Sequence, residues 1–176
     1  ELNLVDHTPV IRSLRPSDAT PLAEYWYGLN SEEAEQMGLH LEHLPPKETI
    51  EEQIRRLSSL TDHADAEEWV FIAEENAKPL TLVFFSDLLN EEGPEVQFYV
   101  LDKAKADLAL HPQILQKTMH LAFEMFTPRA VFARPSVNNT KIIQTLEALG
   151  LEALGEEERE ESALFFPKKC AVYLVK

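Results

Sequence analysis

The chain has 176 residues, with 16 Lys and Arg against 31 Asp and Glu and a formal net charge of −15. That length suits one domain with a real core, residues 1–176, and leaves too little chain for two. The charge argues against a nucleic-acid binder, which needs a basic stripe to displace counterions from phosphate, and no run reaches the ~18 apolar residues of a membrane span.

Val10 to Leu14 reads as a strand, closed by Pro16, Ser17 and Asp18. Asp18 or Thr20 can cap a helix running to about Tyr27, with Leu22, Tyr25 and Trp26 on one side. Gly28 to Pro46 is the least regular stretch, punctuated by Gly38 and the Pro45-Pro46 pair. It holds His40 and His43, but no cysteine, no His-Glu-x-x-His and no third ligand at helical spacing, so no metal site is expected. Glu48 to Leu60 predicts an amphipathic helix through Ile50, Ile54 and Leu57, followed by a polar loop from Thr61 to Glu68.

Trp69 to Ala73 and Leu80 to Phe85 predict two antiparallel strands joined by a turn at Glu75 to Lys78. A second turn at Asn90 to Pro94 leads to a strand from Val96 to Leu101. Pro112 suits the first turn of a helix that carries Ile114, Leu115, Met119, Ala122, Phe123 and Phe126 on one face. Thr127-Pro128 ends it. Ala130 to Ala133 is then a short buried strand, and Asn138 or Asn139 can cap a helix built on Ile142, Ile143, Leu146 and Leu149. Gly150 stops that helix. Glu152 to Leu154 starts a strand, Glu156 to Glu161 reads as a solvated acidic run, and Ala171 to Val175 closes the chain as a strand. Cys170 lies beside that apolar run and reads as a small buried hydrophobe, with no partner in the sequence for a disulfide. The opening ELNLVDHTPV has no basic segment leading into an apolar one, so the expected location is a reducing cytoplasm.

The segment from Ala130 to Leu151 resembles the penultimate strand and helix of the GNAT-type N-acetyltransferases, through Asn139, Ile143, Leu146, Gly150 and Leu151. Leu151 stands where that family usually has Phe. The order of the other elements follows the same family, including the Arg-Pro-Ser-Asp opening at Arg15 to Asp18. The resemblance implies an α/β (α+β) fold: a mixed, mostly antiparallel sheet of about six to seven strands flanked by about four helices. It also implies acetyl-CoA, or another acyl-CoA, as cosubstrate and a small-molecule or peptide amine as acceptor. No nucleic acid or membrane partner is implied, and a homodimer is compatible.

In that family the connection before the helix at Pro112 carries Q/R-x-x-G-x-G/A, whose glycines let backbone N–H groups approach the pyrophosphate at a helix N-terminus. This sequence has Ala106 for the Gln or Arg, and Ala109 and His111 for the two glycines. Asp107 adds a negative charge beside a polyanion, with Lys103 and Lys105 available to offset it. The cofactor contacts implied by position are Val100, Leu101, Ala106, Ala109, His111, Pro112 and Asn139. The implied general base is Glu95. Leu146 occupies the place of the tyrosine that some family members use as general acid, leaving Tyr173, with Tyr99 as rival, to replace it. A fainter likeness links Phe166 to Ala171 with the tail of acyltransferases of siderophore biosynthesis. Two readings stand: an acyl-CoA-dependent N-acyltransferase, or a GNAT-fold binding module that has lost catalysis.

Overall fold

The computed structural model describes residues 9–60, 65–90, 93–159 and 168–175. Four strands come first in the sheet as an antiparallel meander: β1 (Val10–Ser13), β2 (Trp69–Glu75), β3 (Lys78–Ser86) and β4 (Glu95–Val100). Asn76 and Ala77 take φ of 51° and 65°, the left-handed pair that lets a two-residue turn follow the twist of β2 and β3. Side chains alternate across the pleat. Val70, Ile72 and Leu82 pack beneath α1 (Ala19–Tyr27) and α3 (Lys47–Ser58), against Leu22, Ala23, Ile50 and Ile54. Phe71, Val83, Phe85, Val96 and Phe98 face the other way, onto α5 (Pro112–Phe126) and α6 (Thr140–Ala148). The sheet is therefore a filling between two helical layers, and its central strands must be apolar on both faces.

The stretch expected to be irregular contains a helix, α2 (Ser31–Met37). Asn30 Oδ1 accepts from the Glu33 N–H at 2.8 Å, and the Glu33 carboxylate accepts from the Asn30 N–H at 3.2 Å. This reciprocal cap satisfies two of the donors a helix start leaves open. Gly38, at φ 71°, ends the helix in the left-handed conformation. A buried ion cluster fastens β1 to β2 and to the start of α1. Arg12 donates to both Asp18 oxygens at 2.8 Å and to Glu74 at 2.9 Å, and Asp18 also accepts from the Arg15 N–H.

Beyond β4 the sheet continues with β5 (Val131–Ala133), β7 (Lys168–Val175) and β6 (Glu152–Arg159), in the order β1-β2-β3-β4-β5-β7-β6. β4 and β5 are parallel neighbours; the other pairings are antiparallel. The strand expected only to Leu154 runs on to Arg159, so most of the supposed solvated acidic run is sheet edge. Its side chains offer no apolar face, but pairing with the buried β7 supplies the ladder, and the glutamates protect an edge from further strand addition. The connection between β4 and α5 also holds a short helix, α4 (Ala106–Ala109). The result is seven strands and six α-helices among the described residues.

Candidate functional site in the gap between two parallel strands

β4 and β5 meet at one residue pair, Glu95 with Phe132, and then part. Gly93 makes the junction possible. At φ 121° its Cα lies so close to β5 that a Cβ there would sit 2.7 Å from the Ala130 carbonyl oxygen. The phase of the β3–β4 ladder decides what β4 shows to the gap. The Leu101 N–H donates to the Leu80 carbonyl, and Tyr99 lies opposite Leu82. Odd-numbered positions thus bond to β3, and the backbone groups of Val96, Phe98 and Val100 face β5. The Phe132 N–H donating to the Pro94 carbonyl at 2.9 Å fits the same phase. Past that bond the strands enclose a cavity of about 560 Å³. Phe98 forms one wall, Ser136, Asn139, Ile142 and Leu146 the other, and Met37 and Arg159 approach from the β6 side.

Glu95, at the closed end, is 4 % exposed. Both its oxygens accept from Arg159, at 3.0 and 3.2 Å, in the fork-to-carboxylate geometry that Arg favours. Arg134 stands 3.7 Å from the same carboxylate and is itself held by Glu157 at 2.9 Å, with its guanidinium over the Phe132 ring. The implied base therefore lines the cavity within a four-residue ion network. Tyr99 also lines it, its hydroxyl donating to Gln97 and its ring edge-on to Tyr25 and Trp26. Burial, aided by the charges of Tyr25 and Glu95, holds the Tyr99 hydroxyl well above the usual phenol range.

Tyr173, the other implied acid, does not line this cavity. It is buried on β7 with its hydroxyl 3.4 Å from Glu147 of α6; burial first, and then that carboxylate, raise its pKa. Asn139 does line it. The residue stands at the N-cap position of α6, yet its side chain makes no capping bond, so its amide faces the cavity unspent on the helix.

The connection expected to hold a pyrophosphate is already filled by the chain itself. Ala109 is fully buried, and its carbonyl accepts from Thr81 Oγ at 2.7 Å. The Leu110 and His111 N–H groups close the turns of α4 on Ala106 and Leu108. His111 caps α5: its Nδ1 accepts from the Gln113 N–H at 3.3 Å, its carbonyl accepts from the Ile114 and Leu115 N–H groups, and Pro112 has no N–H. Lys103 and Lys105, the expected compensating charges, are turned to Glu33 at 2.7 Å and Glu75 at 2.6 Å. Lys141 lies 3.7 Å from Asp107. These residues do not fit a pyrophosphate. Leu101 likewise spends its N–H on β3, whereas Val100 faces the gap.

Arg134 and Arg159 were not legible as site residues. Arg134 reads as a strand breaker, and Arg159 lies within an acidic run whose fold-back depends on the β6–β7 pairing. His40 and His43 stack with ring centroids 4.4 Å apart. Among the described residues no three His, Cys, Asp or Glu side chains gather as a metal site, and no helix is long and apolar enough to cross a membrane.

The structure is similar to a ribosomal-protein-S5-alanine acetyltransferase from Vibrio fischeri (TM-score 0.72, 16 % identity, 94 % of this chain and 91 % of that one). It is similar to an aminoglycoside acetyltransferase in complex with coenzyme A (0.71, 16 %, 96 % and 95 %). A dodecameric spermidine N-acetyltransferase from Vibrio cholerae matches at 0.69 (13 %, 95 % and 92 %). At these identities the likeness shows the fold. No curated protein matches the sequence significantly. The family model described as "Acetyltransferase (GNAT) domain" matches residues 10–152. With that match over most of its length, and a sheet that parts between its two parallel strands, this chain is a member of the GNAT acetyltransferase family.

Proposed function

We propose that the chain is an N-acyltransferase that moves an acyl group from a thioester, lying in the gap between β4 and β5, to an amine. The observation that carries this reading is the parting of two parallel strands after one pair, which leaves edge backbone groups of β4 facing a cavity of about 560 Å³. A thioester needs such an edge. Its carbonyl oxygen gains negative charge as the amine attacks, and the N–H of Phe98, on the β4 edge that lines the cavity, is a fixed donor for it. The amine nitrogen bonds to the carbonyl carbon, the C–S bond breaks, and the thiolate leaves with a proton returned to it. Glu95 is the proposed base, and it accepts the amine's proton only once Arg159 yields one of its oxygens. Tyr99, on the cavity wall, is better placed than Tyr173 to return a proton to sulfur. Asn139 supports the donor from the α6 side.

The acceptor enters beside α2 and the β6–β7 hairpin, where Glu157 and Glu158 join a chain of net charge −15, so a cationic amine is favoured. Spermidine, an aminoglycoside and an alanine-containing peptide of ribosomal protein S5, after the names of structurally similar enzymes, form the first panel. A homodimer and a cytoplasmic setting belong to the same reading. The test is thiol release from acetyl-CoA, longer acyl-CoAs and S-acetylpantetheine with each amine. No release above background at millimolar donor ends the enzyme reading. The second reading, a non-catalytic binding module, is favoured by the engagement of both Glu95 oxygens with Arg159. It predicts amine binding without thiol release.

A further inference from the structure

We infer that this chain recognises its acyl donor by the thioester-bearing pantetheine arm alone, with no hold on the pyrophosphate; the inference rests on the acyltransferase reading of the cavity. An anion at a helix start needs unspent N–H groups, close backbone approach and local positive charge. All three are missing here for positive reasons. The N–H groups of residues 110, 111, 113, 114 and 115 already have acceptors within the chain, all of them supplied by α4 or by His111, and residue 112 is proline. The backbone at Ala109 is turned inward, fixed by Thr81 and packed among Ala73, Leu80 and Ile114. Lys103, Lys105 and Lys141 are each paired with a carboxylate, and Asp107 is exposed among them.

His111 is the centre of this arrangement. Its imidazole nitrogen does for the Gln113 N–H what a phosphate oxygen would do, and its ring fills the place where a glycine would let phosphate approach. By contrast, the part of the cavity that suits an amide-bearing, partly apolar arm is intact: the β4 edge at Val96 and Phe98, and Asn139 across from it. Pantetheine carries two amides, which pair with such an edge as a strand would. The donor class that follows is a pantetheine thioester, with the nucleotide of CoA tolerated and not read.

The experiment is calorimetry of the wild-type chain with S-acetylpantetheine, acetyl-CoA, ADP and inorganic pyrophosphate, beside the thiol-release assay. The expected result is Kd values for S-acetylpantetheine and acetyl-CoA within about threefold, and no heat from ADP or pyrophosphate. Acetyl-CoA binding more than tenfold tighter, or competition by ADP, overturns the inference while leaving the enzyme reading in place. Equal binding without thiol release upholds the inference and removes the enzyme reading. Binding of neither donor overturns both. His111→Gly, checked for an unchanged circular dichroism spectrum, is expected to tighten acetyl-CoA about fivefold or more while leaving S-acetylpantetheine unchanged; the wild-type comparison decides the matter even if that variant does not fold.

Discussion

Arg159 grips Glu95 with two hydrogen bonds, 3.0 and 3.2 Å, across 64 residues of sequence. That fork stabilises the carboxylate and at the same time occupies it. Replacing Arg159 with Met leaves Glu95 only Arg134, at 3.7 Å, as counter-charge. Loss of a charged, partly buried hydrogen-bonded pair costs about 1–3 kcal/mol, at the lower end here because Arg159 is partly exposed. The prediction is a lower urea midpoint for Arg159→Met together with a lower KM for cationic amines. An unchanged KM would show that Arg159 does not compete with the acceptor.

Glu95→Gln keeps the shape and removes the base. If Glu95 takes the amine's proton, kcat falls by about 10²-fold or more. Retained turnover would remove Glu95 from the mechanism.

Asn139→Ala separates function from folding. The side chain makes no capping bond, so stability should change by less than about 0.5 kcal/mol. Donor affinity should nevertheless fall by roughly tenfold, the loss expected for one hydrogen bond of about 1.4 kcal/mol. Paired thermal melts and calorimetry check this.

Gly93→Ala places a methyl 2.7 Å from the Ala130 carbonyl at a φ that disfavours any side chain. A cost of about 2–3 kcal/mol is expected, and a fall in Tm of roughly 4–12 °C. Gly150→Ala, at φ 73° with nothing within 4 Å of the new Cβ, should cost about 1 kcal/mol. Equal melting temperatures for the two variants would contradict the close approach of β4 and β5.

Asp18 sets the acid limit. Burial opposes its charge, but the hydrogen bonds from Arg12 and the Arg15 N–H outweigh it and hold the carboxyl below its ordinary value of 3.8. A depressed carboxyl contributes stability above its unfolded pKa and loses it as pH falls through the folded one. Asp18→Asn should therefore flatten the loss of stability below about pH 4 while costing about 3 kcal/mol at neutral pH. Tyr25 works in the opposite sense. Burial, with the charge of Glu33, pushes it up to about 12, so stability present below pH 10 is lost as pH rises toward that value. Urea titrations at stepped pH test both limits.

The sequence carried the core and lost the edges. Leu115 and Leu146 were placed by apolar periodicity because burial of one helix face imposes that pattern. α2 was missed because its seven residues bury chiefly Ala34; the Asn30–Glu33 capping box was its readable signal. β6 was legible only at its start, Glu152 to Leu154, because an edge strand with eight mostly exposed residues has no apolar alternation to mark its far end. In the candidate site, Glu95 and Asn139 were reached through the family resemblance, and both line the cavity. Arg159 was not, since it lies on β6, two strands past β5 in the sheet order, while its partner Glu95 is on β4, and nothing local encodes that juxtaposition. The departure at Ala109 and His111 was visible as missing glycines, but only the structure shows that the backbone groups there are hydrogen-bonded within the chain.

The single stitch between β4 and β5 also divides the molecule mechanically. The β1–β4 meander is laced by three full ladders, whereas β5, β7 and β6 join it through one residue pair and the packing of α5 and α6. Under rising denaturant the C-terminal ribbon should peel away first, its amide protons exchanging with solvent while β2 and β3 still hold theirs.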